Sequence, residues 1–170
     1  MNIFVLSENP ETSAYMQHDK HVVKMVLESA QMLCSAYLPS QNPPYKRAYY
    51  NHPCTKWARQ SLDNYKWLAI HAVALSSEYT HRYNKIHASY KVIKWCWENA
   101  NKIKFPQTGQ TKHALAMPVE YKTESAVQSY TSYYIGEKLN NAKWTNREIP
   151  NVFKSKIRIT NLREHLVILR

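Results

Sequence analysis

Apolar side chains recur at three- and four-residue steps through most of the chain, the period of helices that bury one face. The opening run, residues 2–6, is apolar but too short to carry a period, and reads as a strand or an extended N-terminal arm. Pro10 and Glu11 then open a helical stretch to about Leu38, in which Val22, Val23, Met25, Val26, Ala30 and Leu33 make one face. His21, Lys24, Glu28 and Gln31 recur on the other face. Pro39 and the Pro43-Pro44 pair end this helix in a loop over residues 39–51. Pro53 suits the first position of a second helix running to about residue 83, with Trp57, Leu62, Tyr65, Leu68, Ala72, Leu75 and Tyr79 in step. Ser61 and Asn64 mark a break within it. A third helix is expected over about 87–102, a loop over 103–118, and a fourth helix from Thr123-Glu124 toward Gly136. Residues 137–153 read as basic-aromatic loop, with a short helix over 161–169 after it. No internal repeat interrupts the pattern. The expectation is one all-α domain over residues 1–170, with about four to five helices, long loops and 154–170 as a candidate C-terminal extension.

Composition narrows the function. Two glycines in 170 residues argue against the glycine-rich loops that cradle phosphates. No apolar run is long enough to span a bilayer, and MNIFVLSENPE lacks the basic start of a signal peptide, so a soluble, cytoplasmic protein is expected (host cytoplasm for a virus). Three cysteines without CxxC spacing indicate neither a disulfide framework nor a zinc knuckle. The net charge of +11 is uneven. Residues 1–40 hold 2 basic and 4 acidic side chains, net −2; residues 41–104 hold 11 and 3, net +8; residues 105–170 hold 10 and 5, net +5. An acidic first segment in a basic chain fits catalytic carboxylates beside a surface that grips a polyanion. Thirteen Tyr and five Trp supply rings on which bases can stack. Against this stands a tyrosine-rich core under a solvated basic surface. Trp57, Tyr65 and Tyr130 are expected in the core, while Tyr45, Tyr49 and Trp144, in Pro- or Asn-rich segments, are expected to contact unstacked bases.

Two groups of side chains carry candidate chemistry. His18, Asp19 and His21, with His81 and His87 further on, invite a metal reading, but an HD phosphohydrolase needs a ligand upstream of the His-Asp pair that nothing before His18 supplies. His21, Lys24 and Glu28 fall on one helical stripe, where they are either a solvated face with an i,i+4 pair or a catalytic constellation. Base excision needs a carboxylate to stabilise an oxocarbenium-like sugar or move protons, and a lyase step needs an amine that attacks C1′.

The run Asp19-Lys20-His21-Val22-Val23, four residues, then Glu28 resembles the first-helix motif of the phage pyrimidine-dimer DNA glycosylase/AP lyase family of the endonuclease V type, D-Q-H-L-M, four residues, then the catalytic Glu. Tyr50-Asn51-His52-Pro53 resembles its Y-x-N-H-P, and residues 79–84 resemble the basic aromatic helix end that follows. Residues 133–138, Y-Y-I-G-E-K, are similar to its C-terminal Y-Y-G-K. The resemblance implies an all-α monomer that extrudes a base from double-stranded DNA, cleaves the glycosidic bond with its α-amine, and nicks the abasic site by β-elimination. It implies no metal or cofactor and no membrane partner. Carried over, Glu28 is the catalytic carboxylate and His21 a neighbour of the reacting sugar or phosphate. The amine belongs to Met1 or Asn2, with Lys24 as the alternative Schiff-base amine if burial or a flanking cation lowers its pKa. Candidate DNA contacts are Lys20, Gln31, Tyr45, Lys46, Arg47, Asn51, His52, Lys56, Arg59, Arg82, Tyr134, Lys138, Lys143 and Trp144. The chain departs from the family in beginning Met-Asn rather than Met-Thr, in a longer segment before the motif, and in Leu27 and Gln31 where arginines flank the family's Glu. Three other readings remain open: a metal-dependent phosphohydrolase or nuclease, a non-catalytic nucleic-acid binder, and a viral DNA base-modifying enzyme.

Overall fold

A computed structural model describes residues 1–157. Among them the architecture is all-α, with six α-helices, short 3₁₀ turns, and a further helical stretch at 151–157. The expected helix at 161–169 lies outside the described residues.

The stretch expected as one helix from Pro10 to Leu38 is two: α1 (Pro10–Met16) and α2 (Asp19–Cys34). Asn9 caps α1 by accepting from the Thr12 N–H, with Pro10 at the first position. Gln17 ends it in extended conformation because its buried amide is recruited elsewhere: Nε2 donates to the carbonyl of Ile3 at 3.1 Å and lies 3.1 Å from His71 Nε2. Glutamine has no turn-forming signature, so this tertiary bond is invisible in the local pattern.

The second expected helix also divides, at the predicted place. His52 caps α3 (Pro53–Ala58), and Ser61 caps α4 (Leu62–Tyr83) by accepting from Asn64 N. The 22-residue α4 is the spine, packing against α1, α2, α3 and α5 (Tyr90–Glu98). The expected third helix starts later, at Tyr90, after a turn in which His87 Nδ1 accepts from Ser89 N. At its end the chain tightens into a 3₁₀ turn over Ala100–Lys102. Helix α6 (Ala126–Glu137) starts after the Ser125 cap. Gly136 lies inside α6 rather than ending it. The Tyr121 ring presses so closely there that a Cβ would meet its hydroxyl at 2.5 Å. Trp57, Tyr65 and Tyr130 are buried, as their spacing predicts.

Candidate active site

The opening run forms no strand. Residues 2–6 are an arm buried between α2, α3 and α6, and Phe4 takes a positive φ of 56°, rare for an aromatic residue. Three sets of contacts hold that turn. Asn2 Oδ1 accepts from the Ile3 N–H at 2.8 Å and the Phe4 N–H at 3.4 Å, folding the backbone over its own side chain. Asn2 Nδ2 donates to the carbonyl of Ala116 at 2.8 Å. Phe4 stacks on His21 with ring centres 4.1 Å apart.

The turned arm delivers its nitrogens to the first-helix carboxylate. Glu28 is buried, and its Oε2 accepts from the backbone N–H of Asn2 at 3.0 Å and lies 3.6 Å from the α-ammonium of Met1. Its Oε1 pairs with Lys24 Nζ at 3.2 Å. Met1 is anchored in turn by Thr55 on α3, whose hydroxyl reaches the Met1 sulfur at 3.3 Å. Because consecutive backbone nitrogens, those of Met1 and Asn2, share one carboxylate oxygen, removal of Met1 would still leave an amine beside Glu28. Lys24 is 66% exposed and pairs with the same carboxylate that faces the Met1 ammonium, so two amines stand beside Glu28, the buried one at the chain's α-nitrogen.

A histidine ladder backs the arm. His21 stacks on His18 at 4.1 Å. The Tyr134 hydroxyl accepts from His18 N at 3.0 Å and lies 2.9 Å from His21 Nδ1, a geometry in which the phenol donates to a neutral imidazole. Burial, then Lys20, pushes the His18 pKa down to about 4; burial, then His18, pushes His21 to about 2. Burial also lowers His71 and His113 to about 4. These folded-state values lie below the unfolded ~6.5, so the unfolded chain binds the extra protons and stability falls as pH drops from ~6.5 toward 4. His18, His71 and His113 are each expected to withdraw roughly 3 kcal/mol by pH 4. Urea midpoints measured at pH 7, 6, 5 and 4 should decline steadily, and a flat profile between 7 and 5 would contradict neutral buried histidines.

The metal ligands considered from sequence are occupied otherwise. Asp19 pairs with Arg82 at 3.0 Å and accepts from Thr145 N and Oγ1. His81 contacts the carbonyl of Asn146, and His87 that of Val23. Among the described residues no group of three or more His, Cys, Asp or Glu is placed to hold a metal.

Of the expected DNA contacts, three are framework. Arg82 is buried on Glu78, Asp19 and the carbonyls of Gln17 and Tyr15, so its charge is spent inside. Tyr134 is buried under the histidines, and Trp144 is buried with Nε1 donating to the carbonyl of Met16. Lys20, Lys46, Arg47, Asn51, Lys56 and Lys143 are exposed, and Tyr49 is 70% exposed. Gln31, Tyr45, His52, Arg59 and Lys138 are partly exposed; Tyr45 bonds to the Ser89 hydroxyl, and Lys138 sits 4.7 Å over the Tyr133 ring. His52 faces the Met1 ammonium and Glu28; its pKa is lowered by burial, then by that ammonium. Pattern reading gave Phe4 no role, and placed Tyr130 in the core and Tyr50 in a motif without the contacts they make. The Tyr130 hydroxyl donates to the carbonyl of Ala114 and accepts from Ala116 N, fixing the loop that holds Asn2. Asn2, a residue given to bonding its neighbours' N–H groups, was the one local signal of the turn.

No curated protein and no solved structure matches the chain. A family model described as pyrimidine dimer DNA glycosylase does, over residues 1–91. That is more than half of the sequence, and it holds the arm, the Glu28 helix, α3 and α4. On this match the chain belongs to the pyrimidine dimer DNA glycosylase family, whose substrate is DNA.

Proposed function

We propose that the protein excises a damaged pyrimidine, such as an ultraviolet dimer, from double-stranded DNA and nicks the resulting abasic site, with the α-amine of Met1 as nucleophile and Glu28 as acid/base. The observation that carries this reading is the Met1 ammonium 3.6 Å from a buried carboxylate in a chain of this family. For attack the ammonium must first lose a proton, and Glu28 Oε2 is the group in reach to take it. The amine then bonds to C1′ while the glycosidic bond breaks, and the base leaves with the proton that Glu28 had taken. The C1′–O4′ bond then breaks, O4′ taking up the proton that the attacking nitrogen sheds, and C1′ and that nitrogen are left joined as an iminium. Removal of a C2′ proton then expels the 3′ phosphate by β-elimination, and water releases the enzyme. Glu28 also stabilises the positive charge that develops on the sugar and the iminium. The base must be extruded for the amine to reach C1′, at a cost that damage lowers.

Borohydride reduction on ultraviolet-irradiated and abasic duplexes tests this without added metal. Covalent capture is expected from the parent protein and from Lys24→Ala, and loss of capture after selective acetylation of the α-amine. Capture that survives acetylation but vanishes in Lys24→Ala would move the nucleophile to Lys24; no capture from the parent would remove the lyase step.

A further inference from the structure

Away from Glu28, beyond the C-terminal end of α2, the chain forms a cavity of about 560 Å³ whose lining carries five cations, Arg47, Lys56, Arg59, Lys102 and Lys104, and no carboxylate. None of the five takes part in an ion pair among the described residues. Concentrating like charges in this way destabilises a folded chain unless an anion arrives to neutralise them.

The cavity is built rather than incidental. The Arg47 and Arg59 guanidinium groups both lie on the Tyr50 ring, 4.6 and 3.6 Å from its centre. Each is also fixed by a backbone carbonyl: Arg47 donates to Tyr37 and Arg59 to Tyr50. Two planar, five-donor groups are thus held in place before any ligand binds, which suits phosphate oxygens better than mobile lysines would. The opposite wall is tied in as well. Gln41 Nε2 donates to the carbonyl of Lys102 at 2.7 Å, and Gln107 N donates to the carbonyl of Gln60 at 3.0 Å. Lys102, ending the 3₁₀ turn, and Lys104, in the loop after it, therefore line the same cavity as Lys56 and Arg59.

Position gives the ligand its class. Ala36 and Leu38 of the cavity lining follow the C-terminal end of α2, whose last residue, Cys34, lies six residues beyond Glu28. At a rise of ~1.5 Å per residue that end of α2, and the cavity beyond it, is about 10 Å from the carboxylate. One DNA strand carries a phosphate every ~3.4 Å of axis, so that distance is about three nucleotides.

We infer that this cavity is a phosphate subsite for the DNA backbone, gripping one duplex arm about three nucleotides from the excised base. The inference rests on the proposed glycosylase reading for its polarity along the DNA but has its own readout. Lys102 and Lys104 are the residues to test, since both are exposed, outside the helices, and remote from Glu28.

The experiment compares the parent with the double variant Lys102→Gln/Lys104→Gln on abasic-analogue duplexes. One duplex has long arms on both sides; two others have one arm or the other cut to two base pairs. On the long duplex the variant is expected to bind more weakly, with a slope of log K against log salt shallower by about two. On one of the shortened duplexes, the one lacking the gripped arm, the two proteins should bind alike. In single-turnover assays the difference should appear in the concentration of DNA needed for half-maximal rate, not in the maximal rate. Equal salt slopes on the long duplex would overturn the inference, as would a loss of affinity that persists equally on both shortened duplexes. If the parent captures abasic DNA under borohydride and the slopes are equal, the cavity inference alone fails. If the slope drops but the parent captures nothing, the subsite stands and the lyase reading fails.

Discussion

Glu28→Gln is expected to reduce single-turnover cleavage of an abasic duplex by a factor of about 10² to 10⁴, the range over which a positioned proton-transfer group acts. The substitution is informative because it is nearly isosteric. The Gln carbonyl can still accept from the Asn2 N–H that Glu28 Oε2 accepts now, at 3.0 Å, so the arm keeps its seat. What disappears is the negative charge facing the Met1 ammonium and Lys24. Without it the ammonium has no acceptor for its proton, and the iminium has no counter-charge. DNA affinity should change little or increase, since a carboxylate repels phosphate. A Glu28→Gln protein that turns over within tenfold of the parent would show that the carboxylate is scaffolding for the arm and that acid/base chemistry lies elsewhere.

Arg82→Ala is expected to cost about 3–5 kcal/mol of unfolding free energy, the loss typical of breaking a buried ion pair from one side. Arg82 Nε and Nη2 both donate to Glu78 Oε2, Nη1 donates to Asp19 Oδ1 and the Gln17 carbonyl, and Nη2 also reaches the Tyr15 carbonyl. Its removal strands two carboxylates and two carbonyls at the junction of α1, α2 and α4. Arg147, donating to Glu78 from the partly exposed side at 2.8 Å, can shield only one of them. Arg82→Lys should recover only part of the loss, because an ammonium cannot reproduce the planar fork. Urea denaturation at pH 7 measures this directly. A loss under about 1 kcal/mol would place the pair in the class of solvated surface bridges.

Arg82 also shows where pattern reading stops. Its partner Glu78 is one turn away and readable as an i,i+4 pair, but Asp19 is 63 residues away, and nothing local separates an arginine that leaves the helix from one that turns inward. Tyr134 and Trp144 are the same case, polar-tipped rings in basic segments whose hydroxyl and indole N–H find partners 116 and 128 residues away in sequence. Capping, by contrast, is written over three or four residues: Pro53 after His52 and Ser61 before Asn64 place two helix starts correctly. The Glu28 stripe was legible for the same reason, because helical period alone sets His21, Lys24 and Glu28 on one side of α2. The break at Gln17 and the turn at Phe4 were not, since both depend on the arm and the helix finding each other.

That dependence bears on the order in which the protein is made. The arm is synthesised ahead of the helices, yet its seat is completed only by segments far downstream. Asn2 must wait for the Ala116 carbonyl, 114 residues later, and Phe4 packs against Tyr130, Tyr133 and Tyr134 of α6. Contacts so distant in sequence carry a large loop-closure cost, so the amine and the carboxylate meet only when the sixth helix has docked. A nascent or truncated chain ending near residue 91, where the family match ends, would carry every residue of the proposed chemistry and still lack the wall that aims it.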